Sequence, residues 1–287
     1  MKLFNYKKDD EIRLGIKAER GVIDVKQAAA DLSVDAPADM AGVMGQGTKA
    51  LEKLAVIEEK ATQFIQEDTL VFAPCVASPE KIICVGLNYD DHISETKMEK
   101  PQYPILFSKF NNALAAHRQK ITLPKTAEKC DYEAELVVVM GKEASCVSKD
   151  EALSYVFGYT AGNDFSARDL QMRTGQWLLG KTCDGFAPIG PYLVTADGID
   201  PNNLNIQCTL NGELRQSSIT SNMIFDCADI ISYASNYMTL KPGDLIFTGT
   251  PSGVIMGEPE GERHWLKPGD EVTVSIEKIG SLTNILK

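Results

Sequence analysis

The segment Asp131-Tyr132-Glu133-Ala134-Glu135 runs straight into Leu136-Val137-Val138-Val139-Met140. The apolar tail predicts a buried strand, and side chains two apart on a strand share a face, so Glu133 and Glu135 point the same way. Two carboxylates about 6–7 Å apart at the entrance to a core repel each other and lose solvation. A divalent cation between them removes both penalties, whereas paired glutamates on an exposed strand end need none. A third carboxylate, Asp164, closes the run from Tyr155 through Gly162-Asn163. The residues after it, Phe165 to Gln171, could turn into a helix capped by Asp164 or Ser166, which is the competing role for that acid. On such a turn Arg168 and Gln171 are three apart and share a face, so both can reach a carboxylate or carbonyl in one cleft.

Other residues suggest proton transfer and anion binding. His92 and Glu95 are three apart in Asn88-Tyr89-Asp90-Asp91-His92-Ile93-Ser94-Glu95. On one helical turn the carboxylate can orient the imidazole and raise its basicity, making a general base for water; a solvated helix turn is the alternative. His117 and His264 have no such partner and read as surface or loop residues. Gly175 to Thr182 spells the phosphate-loop pattern G-x-x-x-x-G-K-T. It is rejected because its middle holds Trp177 and two leucines, and Cys183-Asp184-Gly185-Phe186-Ala187-Pro188 cannot open a long helix. Lys181 remains as a lone cation between a Trp-Leu-Leu stretch and a Gly/Pro loop. Gly249-Thr250-Pro251-Ser252-Gly253-Val254 follows an apolar strand and offers backbone N–H groups and the Thr250 hydroxyl to an anion, although most such loops are only turns.

The chain that must position these residues has 287 of them, with 29 Lys+Arg against 40 Asp+Glu and a net charge of −11. The acid excess argues against a nucleic-acid groove. No apolar run approaches the roughly 20 residues that span a bilayer, and the start has no signal-peptide core. Seven cysteines without a C-x-x-C pair read as reduced thiols in a cytoplasmic protein. Three histidines argue against a His-rich metal site, so a metal here is held by carboxylates and is a hard ion such as Mg²⁺ or Mn²⁺.

Residues 1–74 read as a small α/β unit: strands near Ile12–Ile16 and Gly21–Val25, then a helix over Thr48–Phe64 with Ala50, Leu54, Ile57, Ala61 and Phe64 on one face. Phe72 to Pro79 reads as a linker. From about residue 80 to 287, short apolar strands alternate with Gly/Pro turns, at Ile82–Val85, Ile105–Phe107, Leu136–Met140, Tyr192–Val194, Asn205–Leu210, Asp244–Phe247 and Glu271–Ile276. Helices are expected from a capping box at Ser148–Glu151 and over Ile224–Tyr237. Leu-Lys-Pro-Gly-Asp occurs at 240–244 and 266–270, each time as a turn before a strand. The fold class is α+β and β-rich.

Together these motifs resemble the fumarylacetoacetate hydrolase family over residues 80–287. They are Gly86-Leu87-Asn88-Tyr89 with His92 and Glu95, Asp131 to Leu136, Gly162 to Asp169 with Gln171, Gly180-Lys181, Asn211 to Gln216, Met223-Ile224-Phe225 and Gly249 to Val254. The resemblance implies a mixed β-sandwich roll, a homodimer, and one Mg²⁺ or Mn²⁺ on Glu133, Glu135 and Asp164. It matches Lys181 to the family's lysine near the metal, Arg168 and Gln171 to its substrate-binding pair, and His92 and Glu95 to its lid pair. The implied substrate is a 2-oxo acid handled through a stabilised enolate. With water activated by His92 and Glu95, the expected reaction is C–C hydrolysis of a 2,4-dioxo acid such as an acylpyruvate. Isomerisation of a 2-hydroxyhepta-2,4-diene-1,7-dioate and decarboxylation of oxaloacetate are the alternatives on the same site.

Overall fold

The computed structural model describes residues 1–91 and 99–287; His92 and Glu95 lie outside the described residues. The apolar run after Glu135 forms the strand Ala134–Met140, whose seven residues are all buried. It lies inside a ten-stranded mixed sheet. On one side it pairs antiparallel with Leu245–Phe247, which is parallel to Ile82–Gly86; the edge strand Ile105–Lys109 follows. On the other side come Val156–Asn163, Leu193–Thr195, Lys2–Lys8, Glu11–Ala18 and Gly21–Asp24, all antiparallel. Residues 1–74 are thus hydrogen-bonded into the same sheet as the strands that carry the acidic motif.

Alternate residues of the central strand enter two apolar clusters. Leu136, Val138 and Met140 join one, and Val137 and Val139 the other. A sheet covered on both faces needs no polar alternation, which explains the continuous run. The first face is covered by a four-stranded sheet in the order Glu213–Ile219, Asn205–Leu210, Glu271–Ile276, Gly280–Ile285, together with helix Cys227–Ser235. The second is covered by the helices Val25–Leu32, Met40–Gln46 and Thr48–Lys60. The β-rich α+β class is what the structure has. Among the described residues no helix is long and apolar enough to cross a membrane.

Several expected elements have different limits. Helix Thr48–Lys60 stops before Phe64 because the chain turns away to bridge Ile65 to Val22, with hydrogen bonds of 2.8 and 3.1 Å. Helix Cys227–Ser235 starts three residues late because Asn88 already holds Ile224 and Phe225: their amides donate to Asn88 O at 2.8 Å and Asn88 Oδ1 at 2.9 Å. Asp226 and Asp229 then form a reciprocal capping box. At Ser148 the hydroxyl bonds the Glu151 side chain, and one α-helical turn, Lys149–Ala152, tightens into the 3-10 turn Leu153–Tyr155 before strand pairing takes Val156. The expected linker is partly a strand, Val71–Ala73 paired to Lys2–Lys8, and Asn5 Nδ2 fastens Pro74 O and Cys75 O at 3.0 and 3.1 Å. In both Leu-Lys-Pro-Gly-Asp turns the aspartate accepts from the lysine amide three residues back, at 2.7 and 2.8 Å.

Candidate active site

Antiparallel pairing places Glu135 opposite Gly162 and Ala134 opposite Asn163. That register brings Asp164 to Glu133: Asp164 N donates to Glu133 O at 2.9 Å, and Glu133 N donates to Asn163 Oδ1 at 3.0 Å. Glu133 sits just ahead of the strand, so this backbone clasp, rather than a face shared along one strand, aims its carboxylate. Carboxylate oxygens of Glu133, Glu135 and Asp164 lie within 4.8 Å of one another, and all three residues are buried. Asp164 does not cap a helix: the turn Arg168–Gln171 begins without a side-chain cap, and Ser166 Oγ donates to Asp164 O at 3.0 Å.

Lys181 points into the acidic group, with Nζ 2.8 Å from Glu133 Oε2 and 2.9 Å from Asp164 Oδ2. Gly180 makes this possible, because any side chain there would meet Ala167 O and Gln171 N at 2.5 Å. The helix Leu178–Lys181 is one turn long, as the rejection of a phosphate loop requires. Burial alone would lower the Lys181 pKa, but Asp164 and Glu133 outweigh it and hold it above its ordinary value. Arg168 Nε binds Asp131 Oδ2 at 2.9 Å; its Nη1 lies 2.7 Å from Glu133 Oε1 and 3.0 Å from Gln171 Oε1. Its Nη2 is buried, with no hydrogen-bond partner among the described residues.

Two of these groups carried no role in the sequence reading. Lys109, at the end of the edge strand, is 2.5 Å from Asp164 Oδ1 and donates to the carbonyls of Phe165, Lys181 and Phe186. It lies beyond the strand expected over Ile105–Phe107, and nothing local in the sequence marks it as buried. Asp131 accepts from Arg168, from Ile255 N at 2.9 Å and from Met256 N at 3.0 Å, so it joins the catalytic strand to the loop after Thr250.

Glu133, Arg168, Gln171, Lys181 and Thr250 line one cavity of about 460 Å³, walled by Phe107, Met172, Trp177 and Met256. Thr250 Oγ1 accepts from Gln216 Nε2 at 2.9 Å, while Gln216 Oε1 accepts from Ala134 N at 2.9 Å. Gln216, quoted in the sequence only as part of a motif, therefore ties the threonine loop to the acidic strand. At Gly249, φ is +99° and an added side chain would meet Asn88 Cβ at 2.7 Å. Its amide donates to Glu135 Oε2 at 2.7 Å. The structure thus brings together every expected site residue within the described regions.

Among the described residues, four buried carboxylates (Asp131, Glu133, Glu135 and Asp164) meet three buried cations (Lys109, Arg168 and Lys181), leaving one negative charge in excess. The excess falls on Glu135, whose carboxyl is pushed well above the ordinary carboxylate range by burial and then by Asp164 and Glu133. An added cation removes that penalty. Three converging hard oxygen donors suit Mg²⁺ or Mn²⁺, so the residues present fit the implied ion.

Residues 81–287 match the family described as fumarylacetoacetate (FAA) hydrolase C-terminal. The chain belongs to the fumarylacetoacetate hydrolase family. It is 46% identical over 290 residues to a fumarylacetoacetate hydrolase domain-containing protein 2 homolog of Dictyostelium discoideum, covering 96% of this chain and 92% of that protein. It is 43% identical over 250 residues to the mitochondrial oxaloacetate tautomerase Fahd2a of Rattus norvegicus, covering 86% of this chain and 79% of that one. The solved structure of a fumarylacetoacetate hydrolase from Exiguobacterium antarcticum superposes with a TM-score of 0.87 at 34% identity, over 100% of this chain and 99% of its own. As a member of the fumarylacetoacetate hydrolase family, the protein carries a buried acidic triad able to hold one divalent ion.

Proposed function

We propose that the protein is a metal-dependent enzyme acting on 2-oxo acids, moving a proton at the carbon beside the oxo group so that keto and enol forms of an oxaloacetate-type substrate interconvert. The observation that supports this most is the meeting of three carboxylates with Lys181 and Arg168 on the floor of one cavity. Mg²⁺ or Mn²⁺ bound by Glu133, Glu135 and Asp164 would act as a Lewis acid toward the oxo group.

The chain's own groups supply the rest. Nη2 of Arg168, without a partner among the described residues, is the donor assigned to the substrate carboxylate. Gln171 Oε1 is taken by Arg168 and Thr250 Oγ1 by Gln216, which leaves the Gln171 amino group and the Thr250 hydroxyl as donors to substrate. Lys181 places positive charge beside the oxygen on which enolate charge develops. Phe107, Trp177 and Met256 restrict water at the reacting carbon. His92 is the base in this reading: it takes the proton from carbon and returns it to oxygen.

The name of the 43% identical relative favours proton transfer over hydrolysis. C–C hydrolysis of a 2,4-dioxo acid is the second reading, favoured by the name of the 34% identical structure. There a water activated by His92 adds to the distal carbonyl and the C3–C4 bond breaks. The test is a parallel assay with Mg²⁺ or Mn²⁺ against oxaloacetate, acetylpyruvate, fumarylpyruvate and a 2-hydroxydienedioate. Fastest turnover is expected as keto–enol exchange of oxaloacetate. Turnover of acylpyruvates alone overturns the first reading in favour of the second, and inactivity on all four overturns both.

A further inference from the structure

The cavity holds a third cation whose role is unassigned. Arg263 lines it together with Arg168 and Lys181. Arg168 and Lys181 are 4% and 2% exposed and form the floor, whereas Arg263 is half-buried, so it stands nearer the mouth. Its Nε donates to Glu258 O at 2.8 Å, and among the described residues its two terminal amino groups have no acceptor. The position is built: the Glu258 side chain is ion-paired to Arg215, and the preceding turn Ile255–Gly257 is pinned by Asp131, the same carboxylate that orients Arg168.

Two forked cations on one cavity, one buried and one half-buried, with Phe107, Met172, Trp177 and Met256 also on its wall, make a receptor for a molecule that is anionic at both ends. A chain of net charge −11 repels a dianion overall, so affinity for one must come from local cations of this kind. We propose that Arg263 is the specificity-determining residue that binds a second, distal carboxylate, so that the substrate is a 2-oxo dicarboxylic acid rather than a 2-oxo monocarboxylic acid. A planar guanidinium fixed at Nε leaves its outer edge to take a carboxylate through two parallel hydrogen bonds. This rests on the 2-oxo acid reading above and assigns, in that same cavity, the side chain that selects for the second carboxylate of an oxaloacetate-type substrate.

The test is calorimetric binding to the Mg²⁺-loaded protein, with ligands matched in carbon number: 2-oxopentanoate against 2-oxoglutarate, and 2-oxobutanoate against oxaloacetate. Wild type is expected to bind each diacid at least about tenfold more tightly than its monoacid partner, the scale of one charged hydrogen-bonded contact. Arg263→Gln should weaken diacid binding roughly 10- to 100-fold and leave monoacid binding within about twofold. Arg263→Lys should fall between, since an ammonium keeps the charge and loses the fork. Equal loss for both ligand classes, or for neither, overturns the assignment, as does a wild type that binds mono- and diacids alike; that last result leaves the 2-oxo acid reading standing. A Mg²⁺-loaded wild type that binds none of the four overturns both.

Discussion

Glu135 has one described donor, the Gly249 amide, and carries the charge that the surrounding cations leave unmatched. Glu133 and Asp164 share Lys181, so the three acids form one electrostatic unit. Removing any one should break it. Glu133→Gln, Glu135→Gln and Asp164→Asn are each expected to reduce Mn²⁺ and Mg²⁺ affinity by more than the roughly 10–100-fold typical of losing a supporting outer group. Calorimetric titration with Mn²⁺ checks this, and a variant that binds as tightly as wild type removes that residue from the site. The roles expected of His92 and Glu95 can be tested through reaction type. His92→Ala or Glu95→Ala should lower proton exchange or acylpyruvate hydrolysis by roughly 10²–10⁴, the usual worth of a general base. Oxaloacetate decarboxylation needs no such base and should fall far less; equal losses would mean that the pair positions substrate. The acidic triad was legible because its motif is short and chemically unusual; Lys181, Arg168 and Gln171 took their places beside it from the family resemblance, and Thr250 sat in a loop of a kind that is most often only a turn. Lys109, Asp131 and Gln216 were not, because a lone lysine, aspartate or glutamine shows its partners only when distant strands meet.

Element by element, legibility followed local dominance. Ala134–Met140 announced itself because both faces are apolar. Val156–Asn163 did not, because Gly158, Ala161, Gly162 and Asn163 are poor strand formers held there by pairing on both sides. His117 shows the same limit. The loop around it was expected to be superficial, yet Nδ1 accepts from Thr283 N at 3.0 Å and the ring stands edge-on to Phe72, 5.0 Å between centroids. It therefore joins the strand Val71–Ala73 to the last hairpin. Burial first, and then Arg118, push its pKa down to about 4. The folded chain holds it neutral, while the unfolded chain takes up a proton near pH 6.5. Between those values the unfolded state binds more protons, so this residue's contribution to stability is lost as pH falls from about 6.5 toward 4. The loss should be on the order of 1–3 kcal/mol, reduced by solvent screening of a partly exposed ring. His117→Asn keeps an acceptor that cannot be protonated. Urea unfolding at neutral and at mildly acidic pH should show a smaller acid loss in the variant than in wild type; the same loss in both would clear His117 of the effect.

Across the whole molecule, the ten-stranded sheet ends on Ile105–Lys109, with Ile82–Gly86 on one side and no strand on the other among the described residues. An open apolar edge recruits another chain unless something covers it. Nearby Tyr103, Phe110 and Leu179 are 66%, 56% and 55% exposed, and Phe107, Phe110, Trp177 and Met238 open onto a concavity of about 730 Å³. Clustered exposure of this kind is characteristic of an interface, and it is here that we propose the implied homodimer forms. The same strand sends Lys109 to Asp164 and sets Phe107 under Lys181, 5.1 Å from the ring centre. A second copy clamped on this edge would therefore hold two side chains of the active site in place, and separating the copies should cost activity as well as mass. Light scattering at tens of micromolar is expected to give about twice the 31.4 kDa of one chain. Phe110→Glu would bury an unpaired charge in that contact, costing several kcal/mol, enough to shift the species to monomer and lower kcat/KM with the triad untouched. A wild-type mass near that of one chain removes the dimer. A Phe110→Glu protein that stays dimeric places the contact on another face, and one that becomes monomeric with full activity separates assembly from catalysis.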